Sequence, residues 1–132
     1  MRAFFLRALF VGCLLAPLGA PRLAAQVNPD LAKIKNPIAA SPESIAAGKE
    51  TFRRSCANCH GLNAEGSPGN DLTPPAPDLT DKEWKHGSTD GEIFNVIKNG
   101  IPPNFEMGAW GDQLKDEEIW NAVNYVRSLA KK

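Results

Sequence analysis

The 132-residue chain has few sulfur and imidazole side chains: three cysteines, two histidines and two methionines. It also lacks any convincing run of alternating apolar and polar residues, the pattern of a half-buried strand. The absence of strand signals argues against the βαβ setting in which a thiol oxidoreductase carries its cysteine pair. We therefore expect a helical protein whose few sulfur and imidazole groups serve a different chemistry.

Long apolar runs are missing as well. The longest one, from Ala8 to Leu18, is too short to cross a bilayer comfortably, which takes roughly 20 apolar residues. Two arginines precede this run, and two alanines lie directly before Gln26. Positive charge, a short apolar run and then small residues is the order typical of a secretory signal peptide. We expect residues 1–25 to be a signal peptide, removed together with Cys13, and the protein to be exported to the periplasm of a bacterium.

An excess of positive charge is absent too. The chain has 15 basic and 15 acidic side chains, and three of the basic ones but none of the acidic ones lie in residues 1–25. The mature chain thus keeps 12 basic and 15 acidic groups, a net charge near −3, which disfavours nucleic acid as a partner. Residues 26–40, with two prolines and no periodicity, are interpreted as an N-terminal extension or tether, and residues 41–132 as one small domain.

The two cysteines that remain after export form the motif SCANCHG, in which Cys56 and Cys59 are followed at once by His60. A disulfide between them would close a very small loop and constrain the unfolded chain little. A zinc ion would need four ligands, and beyond this motif the only other histidine is His86. A disulfide leaves His60 without a role, and the side chains of Cys59 and His60, which are adjacent in sequence, diverge and are awkward to bring to one small ion.

Covalent haem attachment gives all three residues of the motif a role, because C-x-x-C-H is its signature. Thioether bonds at Cys56 and Cys59 would fix one edge of the porphyrin, and His60 could then place its imidazole beneath the iron. The motif therefore predicts one covalently bound haem c.

Met107 is the candidate for the second axial position of that iron. It is the only methionine after residue 25 and lies 47 residues beyond His60, in the stretch NGIPPNFEMGAWG. A polar and a small neighbour flank it, unlike a methionine on an apolar helix stripe, and two prolines stiffen the approach. His86, in a polar turn-like stretch, is the competing ligand.

Three helices are predicted around this site. The first is capped by Ser41 and leads into the cysteine motif. The second begins at a capping box formed by Thr89 and Glu92 and ends near position 100. The third covers about 116–129, where apolar residues recur at helical spacing. The Gly- and Pro-rich segment between the first two helices is expected to be a long loop that wraps over the haem.

Residues 41–130 resemble the class I mono-haem c-type cytochromes, in particular the small bacterial periplasmic ones. The resemblance is carried, in order, by AAGKETFRRSCANCHG, PAPDLTDKEW, GEIFNVIKNGIPPNFEMGAW and DEEIWNAVNYVRSL. It implies an all-α cytochrome c fold in which the N- and C-terminal helices cross around a covalently bound haem, with long loops. It also implies that Gly48 and Phe52 make this crossing against Ala122 and Tyr125.

The resemblance also implies roles for individual residues. It places the thioethers at Cys56 and Cys59, the proximal ligand at His60 and the distal ligand at Met107. The carbonyl of the proline at position 77 would accept a hydrogen bond from the proximal histidine. The cofactor-binding and metal-binding residues expected on this basis are Cys56, Cys59, His60, Met107, Pro77 and Trp84, the last as a donor to a haem propionate.

Two positions depart from the family pattern. Many relatives have proline directly after the ligand methionine, where this chain has Gly108, so the ligand loop is expected to be more mobile. The Ser or Thr that usually caps the last helix is replaced by Lys115, which leaves Asp112 or Asp116 to cap it.

With both axial positions filled, no substrate can bind the iron, and one-electron exchange is the function that remains. We expect an electron carrier rather than an enzyme, exchanging electrons with a membrane oxidase, a cytochrome complex or a periplasmic dehydrogenase through small, transient interfaces, without stable insertion into the membrane. The alternatives are a haem enzyme or gas sensor with a labile sixth ligand, and a fixed cytochrome subunit of a periplasmic dehydrogenase or oxidase.

Overall fold

The computed structural model describes residues 29–66 and 72–130, so the expected signal peptide lies outside the described residues. Four α-helices occur in these residues: α1 (Pro42–Ser55), α2 (Ala57–His60), α3 (Asp90–Asn99) and α4 (Asp116–Leu129). A short 3-10 helix, Leu31–Lys33, precedes them. The described residues contain no strand, which confirms the all-α prediction. None of the described helices is both long and apolar enough to cross a membrane.

The first and last long helices, α1 and α4, form the most extensive helix pair. Their crossing is close at Gly48, where a Cβ atom would lie 1.9 Å from the backbone oxygen of Asn121. One turn further along α1, the ring of Phe52 packs at 5.3 Å from the ring of Tyr125. Ala122 is buried between these positions on α4. The crossing expected from the family resemblance is therefore present, and it fixes the end of α1 from which the cysteine motif follows.

The helices begin at the capping residues that the sequence predicts, with one exception. Ser41 Oγ accepts the backbone N–H of Ser44 at the start of α1, and Thr89 with Glu92 forms the predicted capping box of α3. At α4 neither Asp112 nor Asp116 supplies the cap. Instead the Glu118 carboxylate accepts the backbone N–H of Lys115 at 3.0 Å, because an acid three residues into a helix can reach back to its first N–H.

Two apolar clusters make up the core. The first gathers α3, α4 and the Met107 loop, and the second lies between α1, α4 and the loop after the cysteine motif. Trp84 packs against both clusters. The buried members of the first cluster are Ile93, Ile97, Leu114, Ile119, Trp120 and Val123, and those of the second are Phe52, Ala64, Tyr125 and Val126.

The described part of the N-terminal segment packs on the helices. Asn36 donates to the backbone oxygen of Trp120 at 2.9 Å and to the side chain of Asn124 at 2.8 Å. Gly91, at the start of α3, faces the segment so closely that a Cβ atom there would lie 2.2 Å from the backbone oxygen of Leu31. The packed part of the chain therefore begins before Ser41, at residues that carry no helical or strand periodicity.

Replacing Asn124 with alanine is expected to lower the free energy of unfolding by about 3 kcal/mol. Asn124 is buried, and its amide joins Asn36 to Ser44 through hydrogen bonds of 2.8 and 2.7 Å. The truncation leaves the buried Ser44 hydroxyl without its donor, at a cost of roughly 1–3 kcal/mol, and takes one hydrogen bond from the half-buried Asn36, which keeps its bond to the Trp120 oxygen. Urea unfolding measures the loss. Asn99→Ala, at an exposed position, is the control and should change stability by less than about 0.5 kcal/mol.

Candidate haem site

The cysteine motif occupies a single helical turn. The chain passes from α1 to α2 at Cys56, whose backbone oxygen accepts the N–H groups of Cys59 and His60 at 3.1 and 2.9 Å. Residues three and four apart on a helix lie on one face. This turn therefore presents both thiols and the imidazole to the same side, the arrangement that attachment of a planar ring at one edge requires.

The thiol of Cys56 is held neutral in this position. Burial, with a smaller contribution from the nearby Cys59, raises the pKa of Cys56 to about 11. Cys56 packs against the second apolar cluster, next to residues of α1 and α4. A large apolar group joined to this sulfur would therefore meet apolar side chains.

One ring nitrogen of His60 contacts a backbone carbonyl of the protein. Its Nδ1 lies 3.3 Å from the backbone oxygen of Pro77. A carbonyl only accepts, so Nδ1 carries the proton in this contact, and Nε2 is left unprotonated and able to bind a metal. His60 is buried, and this burial lowers its pKa, although the bond to Pro77 acts in the opposite direction. Burial and the hydrogen bond thus select the neutral tautomer that an axial ligand needs.

Met107 lies in a loop that backbone hydrogen bonds hold against the end of α3. The N–H of Ile101 donates to the backbone oxygen of Met107 at 3.0 Å, and the N–H of Trp110 donates to the oxygen of Ile97 at 3.0 Å. Gly100 ends α3 with φ +72°, and a Cβ atom there would lie 2.7 Å from the Met107 oxygen. The backbone around Met107 is therefore set by close contacts, although Gly108 itself has open space around it.

The remaining predicted residues fall in two groups. Trp84 is half-buried where the two apolar clusters meet, one of which includes Cys56 and the other Met107. His86 is exposed in a turn. The structure thus places Cys56, Cys59 and His60 on one turn, with the Pro77 oxygen beside the His60 ring. Met107 packs against the other apolar cluster, which Trp84 also contacts, and His86 lies on the surface.

Ala64 and Gly66, which lie around this site, are missing from the sequence interpretation, and Gly100 appears in it only as the end of the second predicted helix. Each has a positive φ, and each lies against a segment that carries a candidate ligand or its hydrogen-bond partner. Glycine after a helix is a general signal for such a backbone, and it marks Gly100. The partners of these residues lie elsewhere in the chain, so their contacts have no local pattern.

The residues present fit a haem. The motif turn offers two thiols and an imidazole whose Nδ1 faces the Pro77 oxygen, and Cys56 packs against apolar side chains. Within residues 29–66 and 72–130, no group of three or more His, Cys, Asp or Glu side chains is placed to hold a bare metal ion. A porphyrin iron needs only the one nitrogen from this motif, together with a ligand from a distant loop.

Comparison with protein families agrees with this geometry. The family model described as cytochrome c oxidase, cbb3-type, subunit III matches residues 43–126. This range includes the cysteine motif, Pro77, Trp84 and Met107 and all but the ends of the helical domain.

Individual relatives carry related names. The chain is 36% identical over 110 residues to the cbb3-type cytochrome c oxidase subunit CcoP of Rubrivivax gelatinosus, an alignment covering 80% of this chain and 34% of that protein. It is 41% identical over 107 residues to subunit CcoP of Rhodobacter capsulatus, covering 70% of this chain and 34% of that protein. The chain thus spans about a third of the length of these curated relatives.

A solved structure shows the same fold. The crystal structure of cytochrome cL from the methylotroph Methylophaga aminisulfidivorans superimposes with a TM-score of 0.58 and 29% identity, over 68% of this chain and 55% of that one. This agreement confirms the cytochrome c fold expected from the order of the sequence motifs.

Proposed function

Since this chain belongs to the c-type cytochrome family of cytochrome c oxidase, cbb3-type, subunit III, we propose that it binds one haem c and carries single electrons between redox proteins. The haem is joined to Cys56 and Cys59, with His60 and Met107 as the two axial ligands. The protein is exported and works in the periplasm. It is an electron carrier and not an enzyme.

The observation that supports this proposal most is the contact between His60 Nδ1 and the Pro77 oxygen at 3.3 Å. A neutral imidazole whose Nδ1–H donates to a carbonyl has its other nitrogen unprotonated, burial favours the neutral form of His60, and the hydrogen bond raises the basicity of that nitrogen. Because the two thiols share a helical turn with His60, the nitrogen is presented beside the attachment points.

A haem bound there supplies a one-electron couple at its iron. Met107 would be the second protein ligand of the iron and would leave no open site for a substrate; thioether ligation raises the reduction potential relative to two nitrogen ligands. Trp84, half-buried between the two apolar clusters, would donate its indole N–H to a haem propionate. The clusters exclude water from the site and so limit the rearrangement of solvent that accompanies each change of charge.

A second candidate is that the chain is a fixed cytochrome subunit of an oxidase. Its support is the name of the relatives, which are subunits of cbb3-type cytochrome c oxidases. The chemistry of the haem is the same in both cases, and only the lifetime of the complex differs. Purification of the tagged chain from its own host at low salt distinguishes the two. A fixed subunit elutes with an oxidase at constant ratio, whereas a free carrier elutes alone.

Optical spectra of the exported protein, produced together with a c-type maturation system, test the proposal. We expect a reduced spectrum that carbon monoxide leaves unchanged, because both axial positions are filled, and the weak far-red sulfur-to-iron band in the oxidised form. A spectrum that shifts at once on addition of carbon monoxide would show an open iron. That result would replace the carrier by a haem enzyme or gas sensor.

A further inference from the structure

Two loop segments meet beside His60, residues 64–66 and residues 76–79, which we call the loop pair. The N–H of Leu79 donates to the backbone oxygen of Ala64 at 2.8 Å, and the N–H of Gly66 donates to the backbone oxygen of His60 at 2.9 Å. One segment of the pair is thus bonded to the proximal histidine, and the other contains Pro77, whose oxygen faces the histidine ring. The pair therefore connects the backbone of His60 to the acceptor of its own side chain.

The loop pair is also tightly packed. Gly66 has φ +85°, and a Cβ atom on it would lie 2.9 Å from the oxygen of Ala76 and 3.2 Å from the carbonyl carbon of Pro77. Ala64 is completely buried and keeps φ +62°, a conformation that costs a non-glycine residue roughly 1–2 kcal/mol. Such backbone persists only where surrounding contacts impose it. Here those contacts are with the segment that carries Pro77.

We propose that Gly66 and Ala64 are positioning residues that hold the Pro77 carbonyl on His60 Nδ1 and thereby set the reduction potential of the haem iron. This inference rests on the proposed function, since it takes His60 as the proximal ligand. The physical link is the hydrogen bond: donation from Nδ1 makes the imidazole more electron-rich and stabilises the ferric state. A looser loop pair weakens the bond and raises the potential.

The sign of the change separates this role from a merely structural one. If a substitution only loosens the fold and admits water to the haem, the more polar surroundings favour the charged ferric state and lower the potential. Loss of the His60 hydrogen bond acts in the opposite direction. A rise in potential, together with faster exchange of the Nδ1 proton, is therefore specific to the proposed role.

The test is Gly66→Ala in the haem-loaded protein. Its methyl group must push residues 76–77 away, because the atoms it meets are backbone and cannot rotate aside. Redox titration is expected to show a higher midpoint potential than in the wild type. Nuclear magnetic resonance of the reduced protein should show the His60 Nδ1 proton exchanging about fivefold faster or more. An unchanged or lower potential with unchanged exchange overturns the proposal.

Gly87→Ala is the matched control. Gly87 has φ +90°, close to that of Gly66, but a Cβ atom there meets the carboxylate of Glu92 in the cap of α3. This variant should have a lower melting temperature and an unchanged potential. A potential that rises equally in the control would show that lost stability, and not the loop pair, moves it.

Ala64→Gly serves if Gly66→Ala fails to fold. It loosens the same loop pair without a clash, because it removes the buried methyl group through which Ala64 packs in the second apolar cluster. The potential should rise by less than in Gly66→Ala. An unchanged potential and exchange rate in this variant also overturn the proposal. A wild-type protein without covalent haem would instead overturn the proposed function itself.

Discussion

The reduced Met107→Leu variant is expected to bind carbon monoxide immediately, and its reduction potential is expected to fall by roughly 100 mV or more, within the range of about 0.8 V that axial ligands span. Leucine has no atom that can bind the iron. Loss of the methionine sulfur opens the sixth position of the iron and removes the ligand that favours the ferrous state. The far-red band of the oxidised protein should disappear as well.

Leucine is the substitution of choice because it preserves the packing of this side chain. Met107 is half-buried against the cluster that includes Ile97 and Trp120, and an exchange of methionine for leucine conserves volume and usually costs less than about 1.5 kcal/mol. The hydrogen bond from Ile101 N–H to the Met107 oxygen joins backbone atoms, so the substitution leaves it in place. The fold and the two thioethers should therefore remain, and only the ligand is lost.

Ile101→Leu is the control, since it lies in the same loop, is also half-buried and conserves volume. Its spectrum and its response to carbon monoxide should match the wild type. If Met107→Leu also resists carbon monoxide and keeps its potential, Met107 does not bind the iron. His86 would then be the next candidate, although its exposed position in a turn would require the loop to move.

The sequence predicts the helices well because their signals are local. The first helix has Ser41 and Pro42 at its start, the second has a complete capping box, and the third has apolar residues at helical spacing, and all three are found where these signals place them. The cysteine motif is equally local, since its three residues share one turn. The four predicted attachment and ligand residues thus come from one short motif and one distant methionine.

What the sequence does not predict depends on contacts between distant segments. Residues 31–40 contain no periodic pattern, yet Asn36 is placed by hydrogen bonds to α4 about 85 positions further on. Gly66 is identifiable as a turn residue, but nothing adjacent to it shows that it packs on residues 76–78. The cap of α4 is a local exception: Glu118, three residues into the helix, takes the place expected for an aspartate, and it also pairs with Arg54 of α1.

Replacing Gly48 with alanine is expected to lower the free energy of unfolding by at least about 3 kcal/mol, the upper part of the usual range for overpacking. The added Cβ would lie 1.9 Å from the backbone oxygen of Asn121 and 2.9 Å from the Cβ of Tyr125. Neither atom is the end of a flexible side chain, so the two helices must move apart. This separation also loosens the contact between the rings of Phe52 and Tyr125.

The sign of this effect makes the test decisive, because an alanine in the middle of a helix is otherwise more stable than a glycine by about 1 kcal/mol. Ala47→Gly, at the exposed neighbouring position, measures the effect of helix propensity alone. It should lower the free energy of unfolding by only about 1 kcal/mol. If Gly48→Ala proves more stable than the wild type in urea, helix propensity outweighs the contact and the helices do not approach this closely. A large loss shows that the close crossing at Gly48 holds α1 in place, and with it the turn that carries Cys56, Cys59 and His60.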